Sequence, residues 1–402
     1  MPLALLALAI SAYAIGTTEF VSVGLLPTVA HDLDITLPTA GMVVSVYALG
    51  VTVGAPVLTA LTGRFRRKPL LLAMMGLFVA GNLLAGVSPD FGTLLAGRVL
   101  SAFAHGVFFS VGATIAADLV PADRRASAIA LMFSGLTVAI VTGVPLGTWI
   151  GQNFGWRATF LAVAGLGVIG GLGVAALVPG KLSQPPAASL GDQLRVLAQP
   201  RLLLAFAITA LGYGGTFVAF TFLAPILESI TGFSSGTVSL VLMLYGAAIA
   251  VGNIVGGRVA NRDPVRALAW LFALQALVLF VFAVTADSKI PALVTLVGMG
   301  MLAFANVPGL QLYVVQLAQR HAPGAVDVAS ALNIAAFNLG IAAGAFFGGQ
   351  VVASPLGLAA TPWVGGLFVL GGLLLTLISG ALDRRDGHAP GLAGTALPNT
   401  HA

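Results

Sequence analysis

The chain has 402 residues, 58% hydrophobic and only 8% charged, with a net charge of +5. Soluble proteins carry roughly 25% charged residues, so a water-exposed globule of this composition would not stay dispersed. There is no cysteine, which excludes disulfides and thiolate metal sites, and no histidine-rich metal spacing or cofactor motif takes their place.

The predicted elements are helices, because apolar runs near the roughly 20 residues needed to cross a bilayer follow one another with charged or Pro/Gly-marked turns between them. In chain order they cover 3–29, 37–62, 69–87, 91–117, 126–150, 158–178, 202–227, 235–260, 265–286, 290–317, 325–352 and 362–382. The first run lacks the basic start of a signal peptide and stays apolar to Val29, so it is expected to be retained as a span. The chain is thus expected to be an all-α membrane protein of twelve transmembrane helices.

Charge tests that count. With the N-terminus cytoplasmic, fifteen of the 18 Lys and Arg fall on the cytoplasmic side. Arg157 and Lys289 fall outside and Arg98 lies within a span. The positive-inside rule therefore places both termini in the cytoplasm and assigns the basic pI to topology rather than to nucleic-acid binding. The long polar connection divides the chain into an N-terminal six-helix bundle (1–180), a cytoplasmic linker (181–200) and a C-terminal six-helix bundle (201–383), followed by a Gly/Pro-rich tail (384–402) expected to be disordered.

The halves repeat. Adding 198 takes Pro27 to Pro225, Thr39 to Thr237, Tyr47 to Tyr245, Gly54 to Gly252 and Arg64 to Arg262. An offset of 201 takes Ala102-Phe103-Ala104 to Ala303-Phe304-Ala305 and His105 to Asn306. Two homologous bundles that rock about a midplane site are a standard transporter architecture.

Several local motifs accompany the repeat. Helix 1 carries Gly16-Thr17-Thr18-Glu19-Phe20 and Gly24-Leu25-Leu26-Pro27, and helix 2 carries Gly54-Ala55-Pro56. Helix 4 carries Arg98 and Gly106; Gly143-Val144-Pro145-Leu146-Gly147 and Gly155-Trp156-Arg157 follow. On these residues the chain resembles the major facilitator superfamily over essentially its whole length. Within it, the chain looks like the twelve-helix drug–proton antiporter group, including bacterial sugar-efflux and chloramphenicol-resistance-type exporters.

The resemblance implies two pseudo-symmetric bundles, an antiporter motif at Gly143, Pro145 and Gly147 that seals the seam between the halves, and gating residues at the loop after helix 2. There the chain departs from the family pattern, with Thr59, Gly63, Arg64, Phe65, Arg66, Arg67 and Lys68 lacking both glycines and the acid. The second copy keeps Gly257, Asn261 and Arg262.

Glu19 is the one acid well inside a span, and Arg98 the one deep base. Both lie roughly 12–15 Å below the outer surface at 1.5 Å per residue, and charges at that depth face a cavity or a partner. The resemblance puts helices 1, 4, 7 and 10 around the cavity, so Glu19 and Arg98 are expected to pair there. A permanent structural ion pair is the alternative to proton or substrate binding by Glu19. Burial favours the neutral acid and Arg98 the carboxylate, which poises Glu19 to exchange a proton.

Helical spacing aligns Arg98, Ser101, His105, Phe109 and Gly112 within about 80° on helix 4. Proton coupling is assigned to Glu19, Arg98 and His105, although a hydrogen bond to a neighbouring helix is the favoured reading of His105. Substrate contacts are assigned to Thr18, Ser22, Ser101, Phe109, Tyr213, Thr216, Phe217, Phe220, Asn306 and Tyr313. These stripes mix aromatic and neutral polar groups and suit a small, mostly uncharged organic molecule.

Gly165, Gly167 and Gly170 match a dinucleotide pattern but sit inside a span with no strand before them, so they are read as packing residues. Gly180-Lys181 is followed by Leu182 rather than Ser or Thr, so no phosphate loop exists. No nucleophile–base set is visible, and no enzyme is expected. The expectation is a proton-coupled, monomeric exporter of sugar-like or drug-like compounds in the bacterial inner membrane, in contact with small-molecule substrate, protons and lipid. A passive facilitator or importer, and a non-transporting membrane sensor, are the alternatives.

Overall fold

The computed structural model describes residues 3–62, 65–121, 125–180, 182, 190–260 and 263–388. Among the described residues, twelve helical spans are long and apolar enough to cross a membrane, as the hydropathy runs predict. Spans 1 to 4 are α1 (Leu3–Asp32), α2 (Leu37–Thr62), α3 (Arg67–Gly86) and α4 (Phe91–Asp118). Span 5 joins α5 (Arg125–Val138) to α6 (Val144–Phe154) through a π-helical turn at Ala139–Gly143. Pro145 lacks an N–H, and the Val144 N–H reaches back to the Ala139 carbonyl to form the wide turn. Span 6 is α7 (Trp156–Leu177).

The linker is not all loop: α8 (Leu190–Leu197) is helical and buries Val196. Span 7 is interrupted at Thr221–Phe222 between α9 (Pro200–Phe220) and α10 (Leu223–Ser229). Spans 8 and 9 are α11 (Ser235–Ala260) and α12 (Pro264–Thr285). Span 10 breaks at Asn306 between α13 (Lys289–Ala305) and α14 (Val307–His321), where Pro308 cannot donate. Spans 11 and 12 are α15 (Val326–Ala353) and α16 (Thr361–His388). The expectation of a disordered tail from residue 384 is corrected at its start, since α16 carries the helix to His388. Asp90 caps α4 by accepting from the Thr93 N–H at 2.8 Å and the Thr93 hydroxyl at 3.0 Å, which hold its carboxyl below the usual carboxylate range.

We call the end that bears Arg66, Arg67, Lys68, Arg195, Arg201 and Arg320 the basic end. At the far end, the halves share one hydrophobic core. Phe20, Val23, Val44, Ala48, Ile140 and Val144 of the first half join it, each at mid-span or beyond. At the basic end, by contrast, Leu5, Leu8, Leu71, Met75, Ile115 and Met132 form a core wholly inside the first half. Among the described residues, the first half therefore joins the shared core from mid-span toward the far end and keeps a separate core toward the basic end.

The junction toward the far end is specific. Span 2 lies along span 11, with Thr52 Oγ1 donating to the Ala335 carbonyl at 3.4 Å. Span 8 crosses the π turn, where a Cβ on Gly246 would sit 2.6 Å from the Ile140 carbonyl oxygen. Ser239 Oγ donates to Gln152 Oε1 at 3.0 Å. A plug of Leu26, Ala40 and Phe222 fills the far end.

The repeat has a three-dimensional counterpart. In the first half, Thr18 Oγ1 donates to Asn82 Oδ1 (2.6 Å) and Asn82 Nδ2 donates to Ser101 Oγ (3.3 Å), tying spans 1, 3 and 4. In the second, Gln275 Nε2 donates to Thr216 Oγ1 and Asn306 Nδ2 donates to Gln275 Oε1 (2.8 Å), tying spans 7, 9 and 10. Thr18 and Thr216 are related by the same offset of 198.

Candidate functional site

Glu19 lies mid-way along α1 and is 8% exposed. The expected ion pair with Arg98 is not formed. Arg98 Nη1 donates instead to the Thr18 main-chain carbonyl at 2.7 Å and to Thr18 Oγ1 at 3.2 Å, while Nε reaches the Val43 carbonyl at 3.4 Å. Its guanidinium carbon stands 4.0 Å from the centroid of the Tyr47 ring. A mid-helix carbonyl accepts the arginine because its second lone pair is free, and the Tyr47 ring face supports the charge, while Arg98 Nη2 is buried without a hydrogen-bond partner. Glu19 has no hydrogen bond or ion pair among the described residues, though Arg98, Tyr47 and Tyr213 all lie within its electrostatic reach.

Tyr47 continues the chain of contacts. Its hydroxyl is hydrogen-bonded to His105 Nδ1 at 3.1 Å, and His105 packs on Phe109 with ring centroids 5.0 Å apart. Arg98, Tyr47 and His105 thus form one buried line behind Glu19.

The second half contributes rings. Tyr213 meets Phe217, Phe304 and Phe337 at centroid distances of 5.1, 5.4 and 4.9 Å. Phe20, next to Glu19, meets Phe217 at 6.4 Å and Phe304 at 6.0 Å. Phe220 packs on Phe217 at 5.5 Å and stacks on Tyr245 at 5.1 Å. Of the residues expected from sequence, Glu19, Tyr213, Phe217 and Phe220 come together here. Phe20, Phe304, Phe337 and Tyr245 were missed, although the repeat had flagged Tyr245 and Phe304 by position.

Other expected substrate residues are bound elsewhere. Thr18, Ser101, Thr216 and Asn306 are held in the two interhelical polar triads. Tyr313 donates to Asp383 Oδ2 (2.9 Å) and is hydrogen-bonded to Ser379 (2.6 Å), in a network with Arg201 at the basic end. These five hold helices together, since polar side chains buried between apolar helices seek one another. Phe109 stacks on Phe133 at 5.1 Å inside the core of the first half. Ser22 is buried, with its hydroxyl unpaired.

The antiporter-motif glycines do not seal the two halves against each other. A Cβ on Gly143 would lie 2.2 Å from Thr17 Oγ1, and one on Gly147 would lie 2.5 Å from Val21 Cγ2, so both face span 1 of their own half. Gly246 makes the approach between the halves. Arg64, Asn261 and Arg262 lie outside the described residues. Arg67 is buried and bonds Asp118 at 2.6 Å, so the acid missing from the loop after span 2 is supplied from the end of span 4. At the far end, Arg157 pairs with Asp32 at 2.5 Å and Trp156 Nε1 donates to the same carboxylate at 2.9 Å. Trp156 itself is buried. Gly167 packs on Phe78 and Gly170 on Ser11, as expected, whereas a Cβ on Gly165 would meet nothing within 4 Å, so Gly165 is not a packing position.

The sequence profile of the Major Facilitator Superfamily matches residues 8–345. The chain belongs to the major facilitator superfamily. It is 57% identical over 383 residues to the "Uncharacterized MFS-type transporter YtbD" of Bacillus subtilis, covering 95% of this chain and 96% of that one. It is 41% identical to the "Inner membrane transport protein YdhP" of Escherichia coli K12, covering 93% and 94%. It is 38% identical to a "Chloramphenicol resistance protein" of Streptomyces lividans, covering 93% and 95%. Among solved structures, a bacterial homolog of the human lysosomal transporter Spinster, described as inward-facing and unoccupied, superposes with a TM-score of 0.71. At 17% identity, over 94% of this chain and 95% of that one, this match speaks to the fold. This major facilitator is a transporter, not an enzyme, and a multi-pass membrane protein.

Proposed function

We propose that the chain is a proton-coupled antiporter that exports small, uncharged organic compounds across a bacterial inner membrane. The observation that carries this reading is the unpaired Glu19 carboxyl, buried next to Phe20 of the ring cluster, while the nearby Arg98 donates to Thr18 and rests on the Tyr47 ring. A buried acid with no fixed partner is free to hold a proton or a solute, and not both. A carboxylate accepts hydrogen bonds; its protonated form gives up that charge and most of its pull on a donor. Arg98 then acts as a fixed positive charge rather than as an exchanging partner.

Sidedness supports the direction. With the basic end in the cytoplasm by the positive-inside rule, the cores shared toward the far end support a reading in which solute enters from the cytoplasmic side. Solute enters beside deprotonated Glu19, the halves rock, and a proton arriving from the opposite side displaces it. The printed names of the E. coli and S. lividans relatives accord with an inner-membrane exporter.

The test is accumulation of radiolabelled chloramphenicol by inverted vesicles under an imposed pH gradient, comparing the native chain with Glu19→Gln. Gradient-driven accumulation is expected in the native chain and is expected to vanish in the variant. Equal accumulation by both would remove Glu19 from the coupling.

A further inference from the structure

The internal duplication sets two tyrosines at matched places with opposite fates. Tyr47 on span 2 and Tyr245 on span 8 are related by the offset of 198. The Tyr47 hydroxyl is hydrogen-bonded to His105, and its ring carries Arg98. Tyr245 is 2% exposed, stacks flat on Phe220 with planes 17° apart, and its buried hydroxyl has no hydrogen-bond partner. Leaving a hydroxyl unpaired away from water is costly, because its hydration is lost and nothing replaces it. Phenylalanine would fill the same space without that cost. Phe220, on which Tyr245 stacks, packs on Phe217, which also meets Tyr213 and Phe20, so Tyr245 belongs to the ring cluster beside Glu19.

We propose that Tyr245 is a specificity-determining residue whose hydroxyl donates to an oxygen of the transported solute, and that this solute is an uncharged aromatic compound bearing a hydroxyl or carbonyl. The aromatic body is argued from Phe20, Phe217, Phe220, Phe304 and Tyr213, whose rings offer faces and edges for offset or T-shaped contact. The absence of net charge is argued from Glu19 and Arg98, the one carboxyl and the one guanidinium buried mid-span among the described residues, whose charges offset each other. The oxygen is argued from Tyr245 itself, since an O–H donor aimed at an apolar ligand would stay unpaired. A site built to hydrogen-bond its ligand also rejects analogues that lack the group.

The inference rests on the ring cluster beside Glu19 being the solute site, but its test needs no transport. Binding of 2-naphthol, 2-methylnaphthalene and 2-naphthyltrimethylammonium to the purified chain in nanodiscs would be measured by equilibrium dialysis. Empty nanodiscs correct for partition into lipid. The expected result is that Tyr245→Phe weakens 2-naphthol binding about five-fold, the net worth of one hydrogen bond, and leaves 2-methylnaphthalene unchanged. Its melting temperature should match the native value, whereas Tyr47→Phe should melt lower.

Equal losses for both neutral probes, no loss for either, no binding of 2-naphthol by the native chain, or tighter binding of the cation than of 2-naphthol would each overturn the proposal. So would a lowered melting temperature for Tyr245→Phe, which would show that its hydroxyl has a structural partner. A failed proton-coupling test with the binding difference intact would count against Glu19 and leave Tyr245 standing.

Discussion

Arg98 donates to the main-chain carbonyl of Thr18 at 2.7 Å and leaves the neighbouring Glu19 unpaired. Glu19 and Thr18 are adjacent in sequence, so the same arginine is held close to the acid without neutralising it. The acid keeps a positive field nearby and keeps its freedom to exchange.

This arrangement separates stability from coupling. Removing one partner of a buried ion pair typically costs about 3–5 kcal/mol, but Glu19→Gln breaks no such pair. The expected outcome is a melting temperature equal to or above the native value, together with solute exchange that no longer varies with pH. A large fall in melting temperature would show that Glu19 and Arg98 are paired in the membrane.

Arg98→Lys keeps the charge but loses the planar group that serves Thr18, Val43 and Tyr47 together. It is expected to melt lower than the native chain and to lose most transport. Glu19→Gln should lose only the coupling. Scanning calorimetry and vesicle uptake on the same preparations would separate the two defects.

Asn82 holds Thr18 and Ser101 at once. Asn82→Leu should therefore destabilise the chain by about 2 kcal/mol, through two buried hydroxyls losing a partner. Gln275→Leu should have a similar effect in the second half, where Thr216 and Asn306 are the groups orphaned. A null effect on thermal unfolding in both would mean that the triads contribute nothing to packing.

The far-end closure is open to direct test because the chain has no cysteine. Gln152 and Ser239, bonded across the halves, can be replaced together by cysteine without background labelling. Oxidation should cross-link them and arrest transport, and reduction should restore it. Gly246→Val, which places atoms against the Ile140 carbonyl, should lower the cross-linking yield by favouring the state open at the far end. An unchanged yield would mean that this contact does not hold the closure.

The twelve spans, the two related halves and the concentration of basic residues at one end were legible in the sequence. Hydropathy, turn residues and loop charge are properties of short segments, and a bilayer reads them segment by segment. The depth of Glu19 and Arg98 followed from counting residues along a helix. Tertiary structure alone decided which way each side chain turned and what it met. Arg98 lies 80 positions from Thr18, and no local pattern says that it takes a carbonyl rather than the next residue's carboxylate. Nor could spacing show that Gly143 packs on Thr17 of its own half, or that Gln275 claims Thr216 and Asn306. Those outcomes depend on how helices rotate and cross, and the sum of many small packing contacts sets that rotation.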